Sequence, residues 1–221
     1  MRKVLITIED NKPHAEVECI QDGVRYPAKH LRIRELRALL DVDEEESLKV
    51  LSPILSQVGC VRYVGYYKKG RVVQEKAVFV LPAGRHDVNY CGQVFPQVGH
   101  PGLLFVFTLE SLEKEKMLTH TELYAVKPGD SIRKDLLLYH YPFGNVSSYV
   151  CWGDFGQVKV SEVYELRGLP YAFLQLEKND DLFSPDRNNK GLCQRELLKY
   201  LSGRDFDESL LVPSKRFNEL L

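Results

Sequence analysis

VRYVGYYKKGRVVQEKAVFVL, residues 61 to 81, sets two runs of β-forming residues on either side of Lys-Lys-Gly. Valine, tyrosine and phenylalanine pack well on a pleated surface, and a glycine between two such runs turns the chain without steric cost. The pattern predicts an antiparallel hairpin with Gly70 in its turn. Beyond it, GLLFVFTL (102 to 109) is apolar without interruption, as expected of a strand covered on both faces. TELYAVK (121 to 127) and DLLLYHY (135 to 141) are further strand candidates. The intervening HDVNYCGQVFPQVGHP (86 to 101) is broken by glycine and proline, which predicts loop and sheet edge rather than core strand.

Towards the N-terminus, VLITI (4 to 8) and AEVEC (15 to 19) predict a short hairpin. LRIRELRALL (31 to 40) puts Ile33, Leu36 and Leu40 on one helical face. Asp43 with Glu46 three residues later forms a capping-box pattern for a helix running toward Val58, which Pro53 would end or kink. Near the C-terminus, LPYAFLQL (169 to 176) predicts a strand or buried extended chain, and LEKNDDLFSPDRNNKG (176 to 191) a polar loop. LCQRELLKYL (192 to 201) places Cys193, Leu197, Tyr200 and Leu201 at helical spacing.

The composition is that of an ordinary soluble globular protein: 221 residues, 44% hydrophobic, 28% charged, net charge -1. That balance gives no electrostatic footprint for nucleic acid. The five cysteines are odd in number, widely spaced and without a Cys-x-x-Cys pair, so neither a disulfide framework nor a zinc site is indicated. The N-terminus MRKVLITIED lacks an apolar segment of signal-peptide length, and no run approaches the roughly twenty apolar residues of a membrane span. A cytoplasmic protein is expected, with no cofactor, metal, membrane or nucleic acid implied.

The segment YPFGNVSSYVCWGD (141 to 154) crowds proline, glycine, asparagine and serine around Cys151. This is turn chemistry beside a thiol, on a loop delivered by a strand, where reactive groups concentrate. Most free thiols are inert buried fillers, but a thiolate in such a loop is a capable nucleophile. His140 is either packed in its strand or a base for Cys151, and Trp152 packs beside the cysteine.

P-F-G-N-V followed by Cys-Trp-Gly resembles the His-Pro-Asn motif and downstream cysteine of ubiquitin-conjugating enzymes. The chain is more closely similar to prokaryotic ubiquitin-conjugating-like family D, the PRTRC system protein B type. The similar blocks are VRYVGYYKKGR, HPGLLFVF, ELYAVK, LLLYHYPFGNV, VCWGD and, weakly, LLKYLSGRDFDESLLVP, together covering about residues 50 to 213. The resemblance implies that Cys151 is the acceptor thiol and Asn145 the motif asparagine. Phe143 and Gly144 stand where His-Pro would, and the Asn145 to Cys151 interval is shorter than the family pattern. Asn145 is then either a donor to the oxyanion of the transfer step or an Asx-type turn former. An incoming lysine must lose a proton to a nearby carboxylate or in a desolvating pocket, and Asp154 is the closest acid in sequence. The loop from Asn179 to Asn189, bearing Asp180, Asp181, Ser184 and Asp186, resembles in position the loop that gates the site in ubiquitin-conjugating enzymes, solvated loop acids being the alternative.

The expectation is therefore an α+β protein: an N-terminal strand and helix extension over 1 to 50, then a ubiquitin-conjugating-like core of antiparallel sheet and packed helices with a C-terminal helix over 51 to 221. It would accept a ubiquitin-like modifier as a thioester on Cys151 from a ThiF-like activating enzyme and pass it to an amine. The alternatives are a catalytically silent scaffold of the same fold, and a Cys-His hydrolase using His140 and Cys151.

Overall fold

The computed structural model describes residues 2–8, 13–32, 47–51, 61–68, 71–112, 115–153 and 158–220. In chain order the strands are β1 (Arg2–Ile8), β2 (His14–Gln21), β3 (Val24–Arg25), β4 (Lys29–Arg32), β5 (Ser47–Leu51), β6 (Val61–Lys68) and β7 (Arg71–Leu81). They continue as β8 (Gly84–Tyr90), β9 (Gln93–His100), β10 (Gly102–Ser111), β11 (Lys116–Val126), β12 (Leu137–His140), β13 (Lys159–Val160) and β14 (Pro213–Arg216). Two α-helices, α1 (Leu169–Gln175) and α2 (Gln194–Leu201), and four short 3-10 turns complete the described elements. The architecture is mixed α and β, dominated by antiparallel sheet.

The predicted hairpin is present: β6 and β7 pair antiparallel from Lys68↔Arg71 to Val61↔Phe79, with Gly70 outside the described residues. β7 then pairs β10, β10 pairs β11 and β11 pairs β12, all antiparallel, so the centre of the sheet is a meander. β10 is the central wall, and all residues from Gly102 to Leu109 are buried. Leu103, Phe105 and Phe107 join a large core with Phe143, Phe173, Leu197 and Leu201. Leu104 and Val106 face the other way, into a second core closed by Leu138, Phe217 and Leu220. Alternation along a strand sends successive side chains to opposite faces, so an unbroken apolar run is the pattern for a strand buried on both.

Four expectations need correction or qualification. Ser47–Leu51, expected inside a helix, is a strand pairing β6 from Ser47↔Lys68 to Leu51↔Val64; a sheet edge that satisfies five backbone positions outweighs local capping signals. Asp43, Glu46 and Pro53 lie outside the described residues, as do Ile33, Leu36 and Leu40. LPYAFLQL is helical: α1 begins with Pro170 in its first turn, where a missing N–H costs nothing, and buries Pro170, Phe173 and Leu174.

The segment from 86 to 101 is a regular hairpin, β8 with β9, apart from the main sheet as a two-stranded unit. Val88, Tyr90, Phe95 and Val98 from it enter the large core. Pro96 is accommodated because the register shifts between His86 and Val88, and both amide groups of Gln97 donate to Asp87 Oδ1 (2.8 and 3.1 Å). The N-terminal hairpin β1–β2 is present and continues the main sheet, with Thr7 of β1 beside Leu51 of β5.

Candidate active site around Cys151

Between its pairing with β13 at Lys116 and Met117 and with β12 at Tyr124 and Ala125, the outer edge of β11 is taken by the loop that carries Cys151. The Val150 N–H donates to Thr121 O (2.8 Å), and Trp152 Nε1 donates to Thr121 Oγ1 (3.1 Å). Val150 is buried, and the Trp152 ring stacks at 6.5 Å from Phe107 and edge-on at 6.0 Å from Phe173. Both neighbours of Cys151 are therefore fixed to the same threonine and the same core, while Cys151 itself remains partly exposed. A thiol on a rigid support with solvent access is the arrangement a nucleophile requires.

The loop closes tightly. The Cys151 N–H donates to Asn145 O (2.8 Å), and Val146 and Val150 form an antiparallel bridge between them. Asn145 has φ +66°, a left-handed conformation that asparagine tolerates better than most residues. Its side chain is buried: Nδ2 donates to Glu177 O (2.9 Å) and Oδ1 accepts the Asn179 N–H (3.3 Å). Its own N–H donates to Asp181 O (3.1 Å). Asn145 is thus a latch between the cysteine loop and the 177 to 181 segment, with one amide hydrogen left for any other acceptor. Gly144 has no room for a side chain, since a Cβ there would overlap Asn179 O and the Gln194 side chain. Arg187 spans the same two segments, donating through Nη1 to Val146 O and to Leu182 O.

Lys178, inside the latched segment, is buried under Phe173. Its Nζ donates to Phe173 O (2.9 Å) and lies 3.5 Å from the ring centroid. Burial pulls it down to about 7. Its backbone donates to Asn89 O (2.7 Å) and accepts from the Cys91 N–H (3.2 Å), tying the segment to the β8–β9 hairpin. His100 is buried against Phe143 at 4.8 Å, and burial lowers it to about 3.

The other predicted residues are placed as follows. His140 donates its backbone N–H to Val212 O (3.0 Å); burial lowers its proton affinity, and the charges acting on its ring are Arg187, Asp186 and Lys215. Asp180 accepts from Tyr90 OH (2.9 Å), whose own proton is held up to about 12 by burial and then by that carboxylate. Asp181 accepts from Asn179 Nδ2 (3.2 Å), and Ser184 bonds Asp186. Asp154 and Cys60 lie outside the described residues. Cys19 is half-buried on β2, Cys91 is exposed in the β8–β9 turn, and Cys193 is the exposed N-cap of α2. Among the described residues, no three His, Cys, Asp or Glu side chains are grouped to hold a metal.

At the β11 edge lies a cleft of about 110 Å3, walled by Leu118 to Thr121 of β11, by Tyr149, Val150 and Trp152 of the loop and by Val158; the Cys151 side chain does not line it. His120 is exposed there, its ring 6.4 Å from that of Tyr149. Sequence reasoning did not single out His120, Thr121, Arg187 or Lys178. LTHTE carries only strand alternation, and nothing in the polar tract 176 to 191 distinguishes its buried lysine from solvated neighbours. Searches of protein-family models, curated proteins and solved structures find no match to the chain.

Proposed function

We propose that the chain is a cytoplasmic, ubiquitin-conjugating-like carrier that holds the C-terminal acyl group of a ubiquitin-like protein as a thioester on Cys151. The acyl group arrives from a ThiF-like activating enzyme: the Cys151 thiolate attacks the activated carbonyl, an S–C bond forms and the activating enzyme's own group leaves. In the second step an amine attacks the same carbonyl, the C–N bond forms and Cys151 departs as thiolate. Sulfur serves both steps, being a strong nucleophile and a good leaving group.

The observation that carries this reading is the mounting of Cys151: partly exposed, on a tight loop at the sheet edge, and flanked by two residues fixed to Thr121. The antiparallel meander that leads into the Asn145–Cys151 loop, with short helices packed behind it, fits the same reading. The test is incubation with the cognate activating enzyme, modifier and ATP. A thiol-reducible adduct is expected, lost in Cys151→Ala and retained when Cys19, Cys60, Cys91 or Cys193 is changed to alanine. Mass spectrometry placing the adduct on another cysteine, or an unchanged adduct in Cys151→Ala, would sink the proposal.

A further inference from the structure

Among the described residues Lys178 is the only buried lysine, with 1% of its surface exposed. Its two neighbours in the chain hold the Asn145 side chain, Glu177 through its carbonyl (2.9 Å) and Asn179 through its N–H (3.3 Å). Asn145 in turn accepts the Cys151 N–H on its own carbonyl (2.8 Å). An unbroken run of backbone and hydrogen bonds thus leads from the Lys178 Cα to the Cys151 amide. On its other side the Lys178 backbone is pinned to Asn89 O (2.7 Å) and to the Cys91 N–H (3.2 Å), so drawing the side chain out of the core strains the segment that the latch grips.

The surroundings of the amine suit a neutral base. Nζ donates to Phe173 O (2.9 Å) and lies 3.5 Å from the Phe173 ring centroid, and both contacts favour a cation. An ammonium has three hydrogens to place, however, and the carbonyl is one acceptor. Burial prevails and pulls the amine down from 10.5 to about 7, with no carboxylate acting on it among the described residues. The packed elements bring no free counter-charge. From the β8–β9 hairpin come Tyr90, whose hydroxyl donates to Asp180, and His100, whose ring is 5.4 Å from that of His86. Helix α2 adds Arg195, over the Tyr90 ring at 5.4 Å. The cysteine loop adds Tyr141, its ring 5.6 Å from that of Phe173 and its hydroxyl buried without a partner among the described residues. On the segment itself Glu177 accepts the Gly92 N–H (2.7 Å), and Asp181 accepts from Asn179 Nδ2 (3.2 Å). Burial lowers both histidines, and it holds both phenols high, so Lys178 is the group of this core that changes charge between pH 7 and 10.5.

We propose that Lys178 is a positioning residue for Cys151: its uncharged amine seats the 177 to 181 segment, and uptake of a proton frees that segment, opens the Asn145 latch and loosens the cysteine loop. Release returns the amine to water, where it binds a proton as an ordinary lysine does. Falling pH therefore favours release from 10.5 down to 7; below 7 the seated amine is protonated as well, and the effect levels off. The assignment holds whatever chemistry the thiol performs.

The experiment compares full-length wild type with Lys178→Met, which keeps an apolar stem but binds no proton. Both are alkylated with iodoacetamide from pH 6 to 9.5, and mass spectrometry reads each cysteine separately. The ratio of the two Cys151 rates cancels the ionisation of the thiol itself. Wild type over variant should rise about tenfold or more as pH falls from 9.5 to 7 and stay level from 7 to 6. Cys19, half-buried on β2, should show no such rise. A ratio that is constant with pH makes Lys178 a packing residue only and overturns the role, and an equal rise at Cys19 overturns it by showing that the whole fold loosens. A second measurement needs no variant: the ε-carbon resonance of Lys178 in wild-type protein should titrate near 7, and titration near 10.5 would sink the proposal even where Lys178→Met does not fold.

Discussion

Asn145 concentrates two demands that one residue type meets together. Its backbone is left-handed, and its amide joins Glu177 O to the Asn179 N–H. Alanine loses both hydrogen bonds and pays strain at positive φ, so Asn145→Ala should lower stability by about 2–4 kcal/mol. Asn145→Gly, which loses the bonds but not the conformation, should be about 1 kcal/mol milder. Urea unfolding of the two variants checks this, and equal losses would show that the backbone conformation contributes nothing. If Asn145 also meets the oxyanion, discharge of the loaded thiol falls further than loading does; a latch alone depresses both together. The loop setting and partial exposure of Cys151 were legible from its turn-rich neighbourhood. The latch was not, because Asn145 and its partners are separated by more than thirty residues and no local pattern links them.

At the scale of elements, the loop from 141 to 151 is held against the segment 177 to 187 by contacts that tolerate no extra atoms. Gly144→Ala would press a methyl into Asn179 O and the Gln194 side chain, backbone on one side and a buried amide on the other. A cost of about 1–3 kcal/mol is expected, with faster alkylation of Cys151 by iodoacetamide as the loop loosens; unchanged melting and unchanged alkylation would show that the contact is loose. The sequence predicted β6, β7, β10, β11 and α2 because their periodicities are strong and their burial follows from them. It failed where tertiary pairing overrode local preference, as at Ser47–Leu51, and where a short helix mimicked an apolar strand, as in α1. The cleft at the β11 edge escaped notice for a different reason: it depends on a bulge and on a loop crossing the strand edge, neither of which leaves a mark in LTHTE.

For the whole molecule, the buried bases set how stability varies with pH. His100 titrates at about 3 when folded, below its ordinary 6.5, so its contribution is complete above 6.5 and is lost as pH falls from 6.5 toward 3. The slope from this group approaches about 1.4 kcal/mol per pH unit. The urea midpoint should therefore fall between pH 6.5 and 4 in wild-type protein and fall less in His100→Gln; parallel curves would assign the acid sensitivity elsewhere. Lys178, at about 7 against 10.5, acts in a separate window, with stability rising as pH goes from 7 to 10.5. Beyond titration, β10 serves as the party wall between the two cores, contributing Phe105 and Phe107 to one and Leu104 and Val106 to the other. Neither side can melt while its neighbour stands, so the amides of Leu104 to Phe107 open to solvent only when both sides have come apart, and the clock for their hydrogen exchange is that of global unfolding. The N-terminal hairpin, with its own small core around Ile6 and Ala15, keeps a faster clock.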